Sequence, residues 1–159
     1  MASTTIAGFS SGIIVMLSIM VGLMAGTQLS QAVISGIAVV AFVEGFSDAF
    51  SEYLSQRTEK EHAIKTIWKE AFIIFLTKFG IIFQFILPFL FLPLLDATYF
   101  SIFYGLFILS VLSGHIARQQ EKRRIIRTML LYDIAAIIIM TITYFVGDLV
   151  AFIFSLLGI

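Results

Sequence analysis

Read as apolar and polar positions, the chain alternates long apolar runs with short polar interruptions. The runs cover Ile6–Gly26, Ala32–Phe50, Ala71–Leu95, Tyr99–Ile116 and Leu130–Ile153. Each approaches the roughly 20 residues that a helix needs to cross the hydrocarbon of a bilayer. A helix satisfies all its main-chain hydrogen bonds within itself, as a lipid-embedded segment must. The pattern therefore predicts an all-α integral membrane protein, five transmembrane helices in one domain over residues 1–159. Pro88 and Pro93 fall in the outer half of the third run and predict a kink or an early helix end there. The polar segment "RTEKEHAIKTIWKE" between the second and third runs is too short for a folded unit and predicts a helical extension of span two followed by a turn. The opening "MASTT" lacks the basic stretch of a secretory signal, so the first run reads as a span that is kept.

Composition strengthens this picture. Hydrophobic residues make up 60% of the chain, well above the roughly half found in soluble domains. There is no cysteine, which excludes disulfides and thiolate metal sites. The formal net charge is zero, yet the bases are unevenly placed. Arg57, Lys60, Lys65 and Lys69 follow span two, and Arg118, Lys122, Arg123, Arg124 and Arg127 follow span four. The other connections, around "TQLSQ" and "LLDATYF", carry none. The Lys/Arg bias of short loops sets orientation, so both basic connections are expected in the cytoplasm, the N-terminus inside and the C-terminus outside the cell membrane. Tyr53 and Trp68 then fall at the inner boundary, and Tyr99, Phe100 and Tyr104 at the outer one.

The stretch "FVEGFSDAFSEYLSQR" breaks the apolar pattern with Glu44, Asp48 and Glu52, each four residues apart. On a helix such residues climb about 6 Å per step and drift by only about 40°, making one acidic ladder. Ser47, Ser51 and Ser55 lie beside it. An ionised group near mid-bilayer opposes insertion by about 2.5–3.5 kcal/mol, whereas an apolar residue favours it by only about 0.3–0.6. Glu52 reads as interfacial, where water alone would satisfy it. Glu44, within "VAFVEGF", must be protonated, paired with a cation or turned toward a wet cavity. A polar ladder along a cavity is what a cation or proton route requires. A divalent ion bound by two carboxylates would also expel their protons, coupling metal movement to proton movement.

Three more charges fall inside the runs. Lys78 and Asp133 lie at comparable depths and predict a structural pair, with snorkelling as the alternative for the lysine. Asp148, in "YFVGDLVAF", is either an exit-side group or a solvated one. Glu59, Glu61 and His62 read as a solvated face, and His115 as interfacial. Met16, Met20 and Met24 form a thioether stripe on span one, available to a soft metal ion or simply to packing. Gly22 and Gly26 form a small-xxx-small pair for a close helix contact. That pair, with an acidic helix that needs cover, predicts a homodimer.

Taken together, "AGFSSGIIVMLSIMVGLMAG" and "ISGIAVVAFVEGFSDAFSEYLSQRTEKE" resemble the first two spans of the vacuolar iron transporter family. The family pattern is roughly G-x-N-D-G in span one and S-M-x-x-G-E-Y-x-S-x-R in span two. The later runs "FGIIFQFILPFLF", "LFILSVLSGHIAR" and "RTMLLYDIAAIIIMTITYFVGDLV" are similar to its spans three to five, so the likeness covers nearly the whole chain. The resemblance implies a five-span dimer with an ion path on its two-fold axis, exporting ferrous iron in exchange for protons. By position, Glu52 matches the acid of G-E-Y, and Tyr53, Ser55 and Arg57 its followers. Two positions depart: the family's span-one aspartate falls on Ser11, and the methionine of S-M falls on Asp48. The long acidic segment that eukaryotic members carry between spans two and three is missing.

The expectation is a divalent metal transporter for Fe²⁺ or Mn²⁺, with Glu44, Asp48, Glu52, Met16 and Met20 as ligands. An acid in place of the thioether at Asp48 brings oxygen-preferring Mn²⁺ into range. The metal is cargo, so no tightly bound cofactor is expected. The expected partners are a second copy and the bilayer, with no nucleic acid. A membrane protein that docks a partner through its basic connections is the alternative, and a metal-free proton or monovalent-cation path a third. No nucleophile–base set, phosphate loop or nucleotide motif is present, so no enzyme is expected.

Overall fold

The computed structural model describes residues 2–58, 64–120 and 125–158. Glu59, Lys60, Glu61, His62, Lys122, Arg123 and Arg124, noted above for their charge, lie outside the described residues. Within them every element is helical: α1 (Ala2–Thr27), α2 (Ser30–Thr58), α3 (Ile64–Phe83), a 3₁₀ turn (Gln84–Ile86), α4 (Leu87–Phe91), α5 (Leu94–Gln120) and α6 (Ile125–Leu157). Five stretches are long and apolar enough to span a membrane, with α3, the 3₁₀ turn and α4 serving as one of them, Ile64–Phe91. The chain is thus an all-α protein with the build of an integral membrane protein. The five candidate spans alternate in direction, so the ends of α2 and α5 that lead into the basic connections fall at one end of the bundle, and the two corners without Lys or Arg fall at the other.

The prolines act as their chemistry demands. Pro88 has no N–H to offer Gln84, and the Gln84 carbonyl is instead taken by the Leu87 N–H, which tightens the preceding turn to 3₁₀. Leu92, just before Pro93, is extended at φ −117° and ψ 152°, because the proline ring disfavours a helical neighbour on its N-terminal side. Span three therefore ends at Phe91 rather than at Leu95, and α5 starts at Leu94 rather than at Tyr99. Asp96 lies in the first turn of α5, where a negative charge favours the helix dipole. At the α1–α2 corner Gln28 takes the left-handed conformation at φ 53°, and its N–H caps the Met24 carbonyl at 3.0 Å.

The centre of the bundle is α1, which packs against α2, α3, α5 and α6. Ile13, Met16, Leu17 and Met20 are wholly buried on it, and Met24 packs against the same core. The methionine stripe thus packs in the core, with Met16 and Met20 closed off from solvent. Gly22 and Gly26 meet Gly147 of α6 backbone to backbone: a Cβ at Gly147 would collide with the Gly22 carbonyl oxygen. The small-residue pair thus closes a contact within one chain, and the prediction of a homodimer loses that support. By contrast α6 is the least buried span, with Ala136 and Met140 its buried residues. Buried hydroxyls mostly return to their own helix: Ser18 donates to the Ile14 carbonyl at 2.7 Å and Thr98 to that of Leu94 at 2.7 Å.

Candidate functional site: an acidic ladder closed by Lys78

The buried face of α2 runs through Val33, Ile37, Val40, Ala41, Gly45 and Ala49. Gly45 lets α3 approach closely, since a Cβ there would stand 3.2 Å from the Phe75 carbonyl oxygen. Glu44 and Asp48 precede Gly45 and Ala49 by one position, so they ride on the flank of this face and are only partly covered. From α3, Lys78 reaches across the seam. Its Nζ lies 2.8 Å from Glu44 Oε2 and 2.6 Å from Asp48 Oδ2. The lysine side chain is 1% exposed, against 23% for Glu44 and 34% for Asp48.

The predicted Lys78–Asp133 pair does not form, and Lys78 does not snorkel. Helix α3 begins at Ile64, placing Lys78 about 21 Å along it, too deep for the ammonium to reach the helix end. The acids one helix away are the partners within reach. Asp133 instead accepts a hydrogen bond from the Ser110 hydroxyl of α5, and its Oδ1 is buried without a partner among the described residues.

Room for the cluster comes from α1. A Cβ on Gly8 would stand 2.8 Å from Asp48 Oδ2, and one on Gly12 would stand 2.6 Å from Lys78 Cε and 3.2 Å from Glu44 Oε2. The two glycines, one turn apart, leave a notch that the lysine stem and both carboxylates fill. Sequence reading passed over this role; the signal was the G-x-x-x-G spacing of "GFSSG" at the depth of Glu44. Ser11, where the family resemblance places an aspartate, is exposed and donates back to the Gly8 carbonyl at 2.8 Å.

The third acid belongs to a different group. Glu52 Oε1 accepts a hydrogen bond from Gln56 Nε2 at 2.8 Å, and the same nitrogen donates to Glu70 Oε2 of α3 at 2.5 Å. Ser47, Ser51 and Ser55 are exposed along the ladder, and Tyr53 meets Trp68 in a tilted ring contact with centroids 4.9 Å apart. Asp148 and His115 are exposed, on α6 and α5. Among the described residues no three His, Asp or Glu side chains converge as a metal ion would require.

Chemically, the Lys78 cluster holds two acids and one base, a formal charge of −1. The ammonium donates to Asp48 and pairs with Glu44, and both carboxylates remain open on their partly exposed side. No match was found to any family model, any curated protein or any solved structure.

Proposed function

We propose that the protein is a divalent metal cation transporter, for Fe²⁺ or Mn²⁺, exchanging metal outward from the cytoplasm for protons and working as a homodimer in the cell membrane. The observation that carries this reading is the Lys78–Glu44–Asp48 cluster, charged, unbalanced and partly open on a helix long and apolar enough to span a membrane. Lys78 is a stand-in cation that holds the acids together while the route is empty. A divalent ion between the carboxylates makes the ammonium redundant, and release of its proton keeps the charge in balance. Metal entry is thereby linked to proton exit.

Two acids are too few to hold a divalent ion alone. Their open edges, beside the exposed Ser47 and Ser51, suit a seam where a second copy supplies two more. The likeness of "SDAFSEYLSQR" to the vacuolar iron transporters points the same way. N-terminus inside and C-terminus outside follows from the basic connections.

The test is purified protein in liposomes, with a panel of metals outside and a pH-sensitive dye inside. Metal-driven proton movement that vanishes in Glu44→Gln and Lys78→Gln supports the exchanger. Normal flux in both variants, or no flux with any metal, overturns it. One observation favours a docking protein instead: Lys78 already pairs both acids, as a purely structural cluster would, while Arg118 and Arg127 stay exposed at the basic end. Absence of flux together with binding to anionic vesicles selects that reading.

A further inference from the structure

The group at Glu52 contains an unsatisfied atom. Gln56 is 4% exposed and its Oε1 is buried without a hydrogen-bond partner among the described residues. The other end of the same amide touches both carboxylates, at 2.8 Å and 2.5 Å. Two formal negative charges thus converge on one neutral donor, and among the described residues no Lys, Arg or His lies within ion-pair distance of either. The arrangement is incompletely satisfied when empty, because the buried Gln56 carbonyl lacks a donor.

We propose that Glu52, Gln56 and Glu70 form a divalent-cation site at the basic-connection end of α2 and α3, in which the Gln56 amide turns over and presents its carbonyl oxygen to the ion. Turning the amide gives up the two hydrogen bonds that Nε2 donates to the carboxylates, which the ion replaces, and none at the Oε1 end, where none is made. It places an oxygen where Nε2 stands, 2.5–2.8 Å from the two carboxylate oxygens. Neighbouring oxygens around a small divalent ion stand about 3 Å apart, which is √2 times a bond of about 2.1 Å, so the three donors need to open only by a few tenths of an ångström. Oxygen donors with two negative charges suit a hard divalent ion. Glu70 is exposed, so water completes the shell and the ion enters from solvent.

The site lies about 6 Å of helical rise beyond Asp48 and does not depend on transport. The chain holds one tryptophan, Trp68, two residues from Glu70 and in ring contact with Tyr53, the neighbour of Glu52. Its fluorescence is a local reporter, and paramagnetic Mn²⁺ quenches it.

The experiment titrates the full chain in neutral-lipid nanodiscs with Mn²⁺, reading Trp68 quenching together with the loss of the free Mn²⁺ electron paramagnetic resonance signal. The expected result is saturable binding that weakens at least tenfold in Glu52→Gln and in Glu70→Gln. Gln56→Glu, which adds a third carboxylate, tightens binding about tenfold. Equal affinity in the parent and the Glu52→Gln/Glu70→Gln double variant overturns the site, as does the absence of saturable quenching. Unchanged or weaker binding in Gln56→Glu overturns the role given to Gln56. Saturable binding without any liposome flux defeats the transport reading and leaves this site standing. Flux without saturable quenching does the reverse.

Discussion

Lys78→Met removes the ammonium and keeps the stem that fills the notch beside Gly12. The substitution breaks two ion pairs, at 2.8 Å to Glu44 and 2.6 Å to Asp48. At an effective dielectric of about 20, each attraction amounts to about 6 kcal/mol, opposed by several kcal/mol for desolvating each ion. Both carboxylate oxygens touch one nitrogen, so they are at most 5.4 Å apart. Without the lysine they repel by about 3 kcal/mol until one is protonated. Removing the shared partner of a buried group in this way is expected to destabilise the fold by about 3–5 kcal/mol. Glu44→Gln behaves differently, because it leaves Lys78 with Asp48 as a neutral pair. One attraction is lost, but the repulsion and one carboxylate's desolvation go with it, and stability should stay within about 1–2 kcal/mol of the parent. Unfolding midpoints in mixed micelles, with all variants in the same lipid, measure the difference. Lys78→Met as stable as the parent, or Glu44→Gln losing as much as Lys78→Met, would refute the account of one cation shared by two acids.

The helix contacts give a sharper contrast. Gly147→Ala drives a Cβ into the Gly22 carbonyl oxygen, a backbone atom that cannot step aside, so α1 and α6 must part at a cost of about 3 kcal/mol or more. A Cβ on Gly80 meets no atom within 4 Å, so Gly80→Ala should raise the midpoint, a gain of about 0.5–1 kcal/mol in stability, and the reverse order would contradict the packing described. At Asp133, Ser110→Ala leaves a partly buried carboxylate without its donor and should destabilise by about 1–3 kcal/mol, whereas Asp133→Asn removes the charge and should be tolerated. Stability assays ranking the two the other way would show that Asp133 has another essential partner. For orientation, a C-terminal reporter should be active only outside the cytoplasm, and cytoplasmic activity would invert the assignment.

The number of spans, their helical nature and the ends that carry the bases were all legible in the sequence, because each is a local property. A run of about 20 apolar residues in lipid has one way to satisfy its backbone, whatever its neighbours are. Pro93 was equally legible: a residue before proline resists the helix, and Leu92 is extended accordingly. The acidic ladder was visible too, since i, i+4 spacing puts residues on one face of any helix. Which cation meets those acids was not. Depth alone offered Asp133 as the partner of Lys78, but depth says nothing about which helix lies alongside or how it is rotated. The closeness of α2 and α3 at Gly45, and the notch of Gly8 and Gly12 on α1, direct the ammonium to Glu44 and Asp48. The same holds for the Gly22/Gly26 pair, whose spacing announces a close helix contact without naming the helix. Tertiary structure assigns it to Gly147 of α6. Nothing in the sequence singles out Gln56, and only the packing of α3 brings Glu70 against it. Periodicity fixes what each helix displays along its own length, and only the packing of helices distant in sequence decides which displays face one another.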